Sequence, residues 1–286
     1  MQKRNVLNSP RLTELKKHRQ RAILNKILIC LLCLAIVFSF LVYLSHLKSL
    51  QISDIEITGN KIVDTQAIKD TVTSELSGKY LLLFPKSNIL LYPENSIKNI
   101  LQNKYTRLEN INLSVGNDKI LNISVNERTP SYLWCGDNLV VGLPSGNPTT
   151  QCYFMDASGY VFDTAPYFSG EVYFKFYGVA SLGSYFSTQN FQQLISFKDV
   201  LISLGLKPVA LYATDDGDMQ MFLSGGTSLL NAPKILFTAN DNLETVAENL
   251  QAALNTEPLK SKFKNNYSKL QYIDLRFGNK VYDKFQ

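Results

Sequence analysis

Ile27–Leu44 reads ILICLLCLAIVFSFLVYL, 18 residues without a charge. At 1.5 Å per residue such a helix rises about 27 Å, close to the hydrocarbon thickness of a bilayer. It is apolar on every face, so a core helix with one solvent side does not fit it. Tyr43, His46 and Lys48 follow as an interfacial exit. Before the run, residues 1–26 carry eight Lys/Arg against one acid, Glu14. The positive-inside rule therefore places residues 1–26 in the cytoplasm, residues 27–47 across the membrane and the rest outside. A cleaved signal peptide would show a shorter apolar stretch, about 7–15 residues, and a small-residue cleavage site. Here the run ends in YLSHLKSLQ, so the expectation is an uncleaved anchor.

Removing the tail changes the charge reading. The chain of 286 residues has a net charge of +5, but residues 27–286 hold 21 basic and 23 acidic groups. A slightly acidic body argues against a nucleic-acid partner. The two histidines, His18 and His46, both precede the body. Ser–His–Asp catalysis, Cys–His catalysis and His-ligated metal are thereby excluded from it. Cys30 and Cys33 lie within the apolar run, where cysteine serves as a small hydrophobe. Cys135 and Cys152 fall in the external, oxidising space, on strand-like runs (YLWC and CYFMD) that flank a turn-rich GLPSGNPTT. They are expected to pair.

Residues 50–128 read as β-α-α-β-β. IEITGN (Ile55–Asn60) alternates and stops at a turn. Asp64 caps a helix with Ile68, Val72 and Leu76 on one stripe, and a second helix starts near Pro93-Glu94 with Ile97, Ile100 and Leu101. Ile111, Leu113 and Val115, then Leu121, Ile123 and Val125, alternate on two strands joined through Gly116–Asp118. Residues 129–286 contain strand-like runs, including LVVGL, CYFMD, PVALYATD, MQMFLS, KILFT and YIDLRF, with helices expected over 189–204 and 241–255. The whole is an α+β chain: an N-terminal transmembrane helix, a β-α-α-β-β domain, and a mainly antiparallel β domain with two helices.

Four acids invite a catalytic reading: Asp156, Asp215, Asp216 and Asp218. A membrane-anchored cell-wall hydrolase would need two carboxylates across a cleft, one with a raised pKa. The DDGD string (Asp215–Asp218) instead lies between strand runs, where Asp and Gly serve a turn, and it lacks the EF-hand spacing. No catalytic, metal or cofactor set assembles from the sequence, and no small-molecule substrate is indicated. The expectation is a non-enzymatic binding or structural protein.

Several strings carry a family resemblance. IEITGNKIVDTQAI, and V-x-E-R-x-P-x-x-x-W within SVNERTPSYLW (Ser124–Trp134), resemble the POTRA domain of the FtsQ/DivIB cell-division family. CYFMDASGYVF (Cys152–Phe162) is similar to that family's strand–D-x-x-G–strand element. YIDLRFGNKVYDK (Tyr272–Lys284) is similar to its late I-D-L-R-[FY] strand. The resemblance implies a POTRA domain over 50–128, an FtsQ-type β domain over 129–286, and a divisome scaffold in the cell (inner) membrane at the septum. It also implies partners resembling FtsB and FtsL, bound by strand addition at an edge strand near the C-terminus. If Tyr272–Phe277 is that edge, alternation points Ile273, Leu275 and Phe277 to the core. Tyr272, Asp274 and Arg276, with Val281 and Tyr282, are then left for a partner, and Phe277 anchors the strand end if the register slips at Gly278.

Overall fold

The computed structural model describes residues 10–137, 139, 151–168, 170–187, 190–226 and 228–286. The chain is a mixed α+β structure with a long apolar N-terminal helix and a large, mainly antiparallel sheet. It divides into two compact units, residues 1–100 with 110–125 and residues 101–109 with 126–286.

The first unit begins with helix α1 (Pro10–Ser45), about 54 Å long at 1.5 Å per residue. Its Glu14–Ser45 stretch reaches a mean hydropathy of 3.1, long and apolar enough to cross a membrane. The C-terminal carbonyls of a helix lack intrahelical donors. Here the buried Asn88 side chain donates to Ser45 O at 3.0 Å, while its own Oδ1 accepts from Leu90 N.

Beyond α1, β1 (Asp54–Thr58) runs parallel to β5 (Ile120–Glu127), which lies between β1 and β4 (Leu108–Val115). The residue after β1 is Gly59, where a Cβ would meet Val125 O at 1.9 Å and φ is +95°. Asp64 accepts from Ala67 N and caps α2 (Thr65–Leu76), whose Ile68, Val72 and Leu76 are buried. A small hairpin, β2 (Lys79–Tyr80) and β3 (Phe84–Pro85), precedes α3 (Glu94–Lys104). The strands of that hairpin are only two residues long, too short for an alternating pattern to mark them in the sequence.

In the second unit the sheet order is β14-β13-β12-β11-β10-β9-β6-β7-β8. The strands are β6 (Tyr132–Trp134), β7 (Tyr153–Met155), β8 (Val161–Thr164), β9 (Lys175–Tyr177), β10 (Pro208–Ala213), β11 (Asp218–Leu223), β12 (Lys234–Thr238), β13 (Leu270–Phe277) and β14 (Lys280–Phe285). The strand expected over LVVGL lies outside the described residues apart from Leu139. Helix α4 (Phe191–Ser203) crosses from β9 to its parallel neighbour β10. Helices α5 (Leu243–Leu254) and α6 (Leu259–Asn266) cross from β12 to its parallel neighbour β13. Parallel neighbours require such long connections, so each helical segment fixes one parallel pair in the sheet. Helix α6 was not expected: it is short and lysine-rich, and its apolar stripe is only Leu259, Phe263 and the following Tyr267.

One face of the sheet carries the main core. Leu194, Phe197 and Leu201 of α4 and Val246 and Leu250 of α5 pack with Leu211, Met221, Ile235, Phe237 and Ile273. Phe197 and Phe237 meet edge to face, 4.9 Å between ring centres. Cys135, Leu133 and Ala165 belong to a separate buried cluster. Cys135 and Cys152 form a disulfide with Cα atoms 4.2 Å apart. Cys30 and Cys33 are unpaired on α1.

The disulfide closes a 17-residue separation, most of it outside the described residues. In the chain-entropy account a loop of this size contributes about 3 kcal/mol. Denaturant unfolding with and without reductant should show a loss near that value, and an unchanged midpoint would refute the account.

Candidate docking edge at the end of the sheet

The C-terminal hairpin forms one end of the nine-stranded sheet. β13 is paired on both sides: Ile273 is opposite Ile235 of β12 in parallel register and opposite Asp283 of β14 in antiparallel register. The expected edge strand Tyr272–Phe277 is therefore interior, and the edge is Lys280–Phe285. The signal for this second strand was in the sequence. Gly278-Asn279 separates two runs as a hairpin turn does, and Gly278 adopts φ +66° there.

Two register shifts, between Leu270 and Tyr272 and between Asp274 and Phe277, place the extra residues on β13 and leave β14 regular. The second shift corrects the expected orientation of Phe277. A bulge re-aims the residues beyond it, so Ile273 and Leu275 are buried while Phe277 is 55% exposed. Its ring meets Tyr282 edge to face at 5.3 Å.

Asp274 is corrected too: it is buried rather than open to a partner. Arg276 grips it with two parallel bonds, Nε to Oδ1 at 2.9 Å and Nη2 to Oδ2 at 2.6 Å. Arg276 Nη1 also donates to Asp218 Oδ2. Residues i and i+2 share a strand face, which is why Asp274 and Arg276 meet. Burial pushes the Asp274 carboxyl up, but the bonds from the Arg276 side chain and backbone outweigh it and hold the group below its ordinary value. The bond to Asp274 leads the causes that raise the Arg276 pKa, opposed by burial and joined by Asp218. Tyr272 is half-buried on the interior strand.

On β14, Val281 and Phe285 pack against the main core, while Lys280, Tyr282 and Lys284 are exposed on the other face. Asn249 of α5 donates to Gly278 O at 3.1 Å, and Lys262 of α6 pairs with Asp283 at 3.0 Å. Gln286 N bonds inward to Lys269 O. Backbone direction alternates along a regular strand, so Tyr282 and Lys284 also bond inward. The N–H and C=O groups of Val281, Asp283 and Phe285 then point to the outer side. Among the described residues no strand pairs with that side.

The opposite end of the sheet differs. Around β8, Val161 N bonds Ser184 O, Gly183 N bonds Val161 O, and Tyr160 bridges to Tyr185. Thr106 donates to Phe162 O, and Arg107 Nη2 reaches Asp163 at 2.7 Å. One end of the sheet is covered by its own unit and the other presents a strand.

The remaining acids serve their turns or an ion pair. Asp156 accepts from Ser158 N at 2.8 Å and Tyr160 N at 3.1 Å, and pairs with Arg128. Burial pushes its carboxyl up, but those bonds prevail and lower it. Asp216 is lowered by the Thr214 hydroxyl first, then by the Asp218 backbone. A glycosidase general acid needs the opposite shift. Asp218 is the second partner of Arg276, and Asp215 is exposed in the turn.

The fold and edge define a mixed α+β protein with an N-terminal helix long and apolar enough to cross a membrane and a sheet that, among the described residues, is open at its C-terminal strand. No protein-family model matches the chain, and no curated protein matches it.

Asp274→Asn should lower stability by about 2 kcal/mol, because Arg276 loses the buried carboxylate it grips with two bonds and keeps only Asp218. The folded carboxyl titrates below its unfolded value of about 3.9, so its contribution is complete above that pH and lost as pH falls through the folded value. Denaturant unfolding across pH should show the wild-type advantage over Asp274→Asn constant near neutrality and vanishing in acid. A difference independent of pH would contradict this origin.

Proposed function

We propose that the chain is a non-enzymatic docking scaffold, anchored by one membrane span, that captures an extended segment of a partner on the outer side of β14. The observation that carries this reading is the contrast between the two ends of the sheet, β8 covered and β14 open. Exposed edges are ordinarily blunted because they template pairing. Lys280 and Lys284 stand exposed on one face of the strand. A partner strand would gain main-chain bonds to Val281, Asp283 and Phe285, and the Phe277–Tyr282 aromatic pair is an apolar contact beside it.

The sequence resemblance supplies the biological setting of the proposal. With the POTRA-like order of the first unit and the I-D-L-R-F strand, it supports an FtsQ/DivIB-type divisome component at the septum. The partners would resemble FtsB and FtsL. The basic tail supports a cytoplasmic N-terminus with both folded units outside.

Proline separates docking from folding. Asp283→Pro removes an outward donor and leaves the inward ladder intact, with Asp283→Asn as the control for the Lys262 ion pair that it also removes, whereas Tyr282→Pro removes an inward donor. In cells expressing an N-terminally tagged chain, Asp283→Pro should reduce co-purification of septal membrane partners at least tenfold, about 1.4 kcal/mol or more of binding. Its ectodomain should keep its unfolding transition, and Tyr282→Pro should lose both. Full partner capture by Asp283→Pro would exclude this edge as the docking site.

A further inference from the structure

The β2–β3 hairpin carries a second apolar feature, and it lies against α1. Tyr80–Leu83 form a tight turn in which Leu83 N bonds Tyr80 O at 3.0 Å. Leu81 and Leu82 occupy its centre with φ +48° and +63°. Two adjacent positions with positive φ ordinarily take Asn-Gly, because a side chain with Cβ is strained there. Leucine satisfies neither the backbone preference nor a protein core, since Leu81 and Leu82 are 83% and 87% exposed. Leu90 and Leu91 stand exposed on the next turn, where Ile89 N bonds Leu50 O and Asn88 ties the segment to Ser45.

The depth of the hairpin follows from its contact with α1. Phe84 of β3 meets Phe38 of α1 edge to face, 5.7 Å between ring centres. The uncharged run Ile27–Leu44 rises about 27 Å, and the hydrocarbon layer is about 30 Å thick, so the run has no length to spare. Leu44 then marks the outer boundary of the hydrocarbon, and Phe38, six residues earlier, lies about 9 Å inside it. A ring touching Phe38 is at acyl-chain depth. The chemistry flanking the apolar tip suits an interface: Lys86 Nζ stands 5.9 Å from the Tyr80 ring centre, Lys79 directly precedes Tyr80, and Lys48 follows the end of α1. Tyrosine and lysine bury their apolar parts and keep their polar ends in the headgroup layer.

We propose that the Tyr80–Phe84 hairpin inserts its leucine tip into the outer leaflet beside its own transmembrane helix, with lipid acyl chains as its ligand. The lipid contact continues the apolar surface of α1 and holds the first unit at two points. It rests on α1 spanning the membrane, as proposed above, and is independent of the β14 edge.

The test uses the full chain with Cys30 and Cys33 replaced by serine, reconstituted alone in phosphatidylcholine–phosphatidylglycerol vesicles. A single new cysteine carries an environment-sensitive fluorophore at Leu82, at Leu31 as the reference within the span, or at Asp215 as the aqueous reference. Leu82→Cys should give blue-shifted emission, quenching by acyl-chain nitroxide lipids approaching that at Leu31, and protection from aqueous iodide. A probe at Leu90 should give the same shift with shallower quenching, which guards against a local effect of labelling the strained turn. If the Leu31 probe is lipid-quenched while Leu82 and Leu90 behave like Asp215, the hairpin inference is overturned and the span stands. If Leu31 also behaves like Asp215, both fail.

Discussion

The two-sided pairing of β13 is the constraint on which the C-terminal half of the structure depends. Ile273 is held between Ile235 and Asp283, so the I-D-L-R-F strand is an interior member of the sheet. Its parallel pairing to β12 requires the α5–α6 crossover, which covers the core face. Its antiparallel pairing to β14 passes the edge to a short strand without a further neighbour among the described residues. The Asp274–Arg276–Asp218 ion pairs then tie β13 to β11 at this end of the sheet. A buried pair of this kind costs desolvation, which the two-pronged Arg276 contact offsets.

Where apolar period and chemistry agree, the sequence was legible. The stripe Ile68, Val72, Leu76 and the cap Asp64 mark α2, and the uncharged run marks α1, because each uses a local rule that tertiary contacts reinforce. The C-terminal site was legible as a region and misread in detail. Alternation assigned Phe277 to the core, but the one extra residue between Asp274 and Phe277 reverses it, and nothing local in DLRF announces a bulge. Strand order is likewise a long-range property: β12 and β13 lie 32 residues apart from Thr238 to Leu270, and only the fold makes them neighbours. The two-residue strands of the β2–β3 hairpin and the lysine-rich α6 carry too few apolar positions for periodicity to reveal them.

The exit of α1 and the β14 hairpin follow one logic. At the exit of α1, Asn88 satisfies a helix-terminal carbonyl and fixes the segment that precedes Leu90 and Leu91. At β14, Asn249 and Lys262 hold the hairpin from the helix side and leave its outer backbone untouched. In both places a polar side chain from a neighbouring segment fixes the backbone and leaves a surface beside it exposed.

Amide hydrogen exchange, resolved by residue along β14, tests the central claim most directly. In the chain alone, Tyr282 and Lys284 should be protected by the ladder to β13, and Val281, Asp283 and Phe285 should exchange as open-edge amides. Adding a partner of the kind proposed should slow the outward three and leave the inward two unchanged. Outward amides that are already protected in the chain alone, or that keep their rates in the complex, would contradict strand addition at this edge.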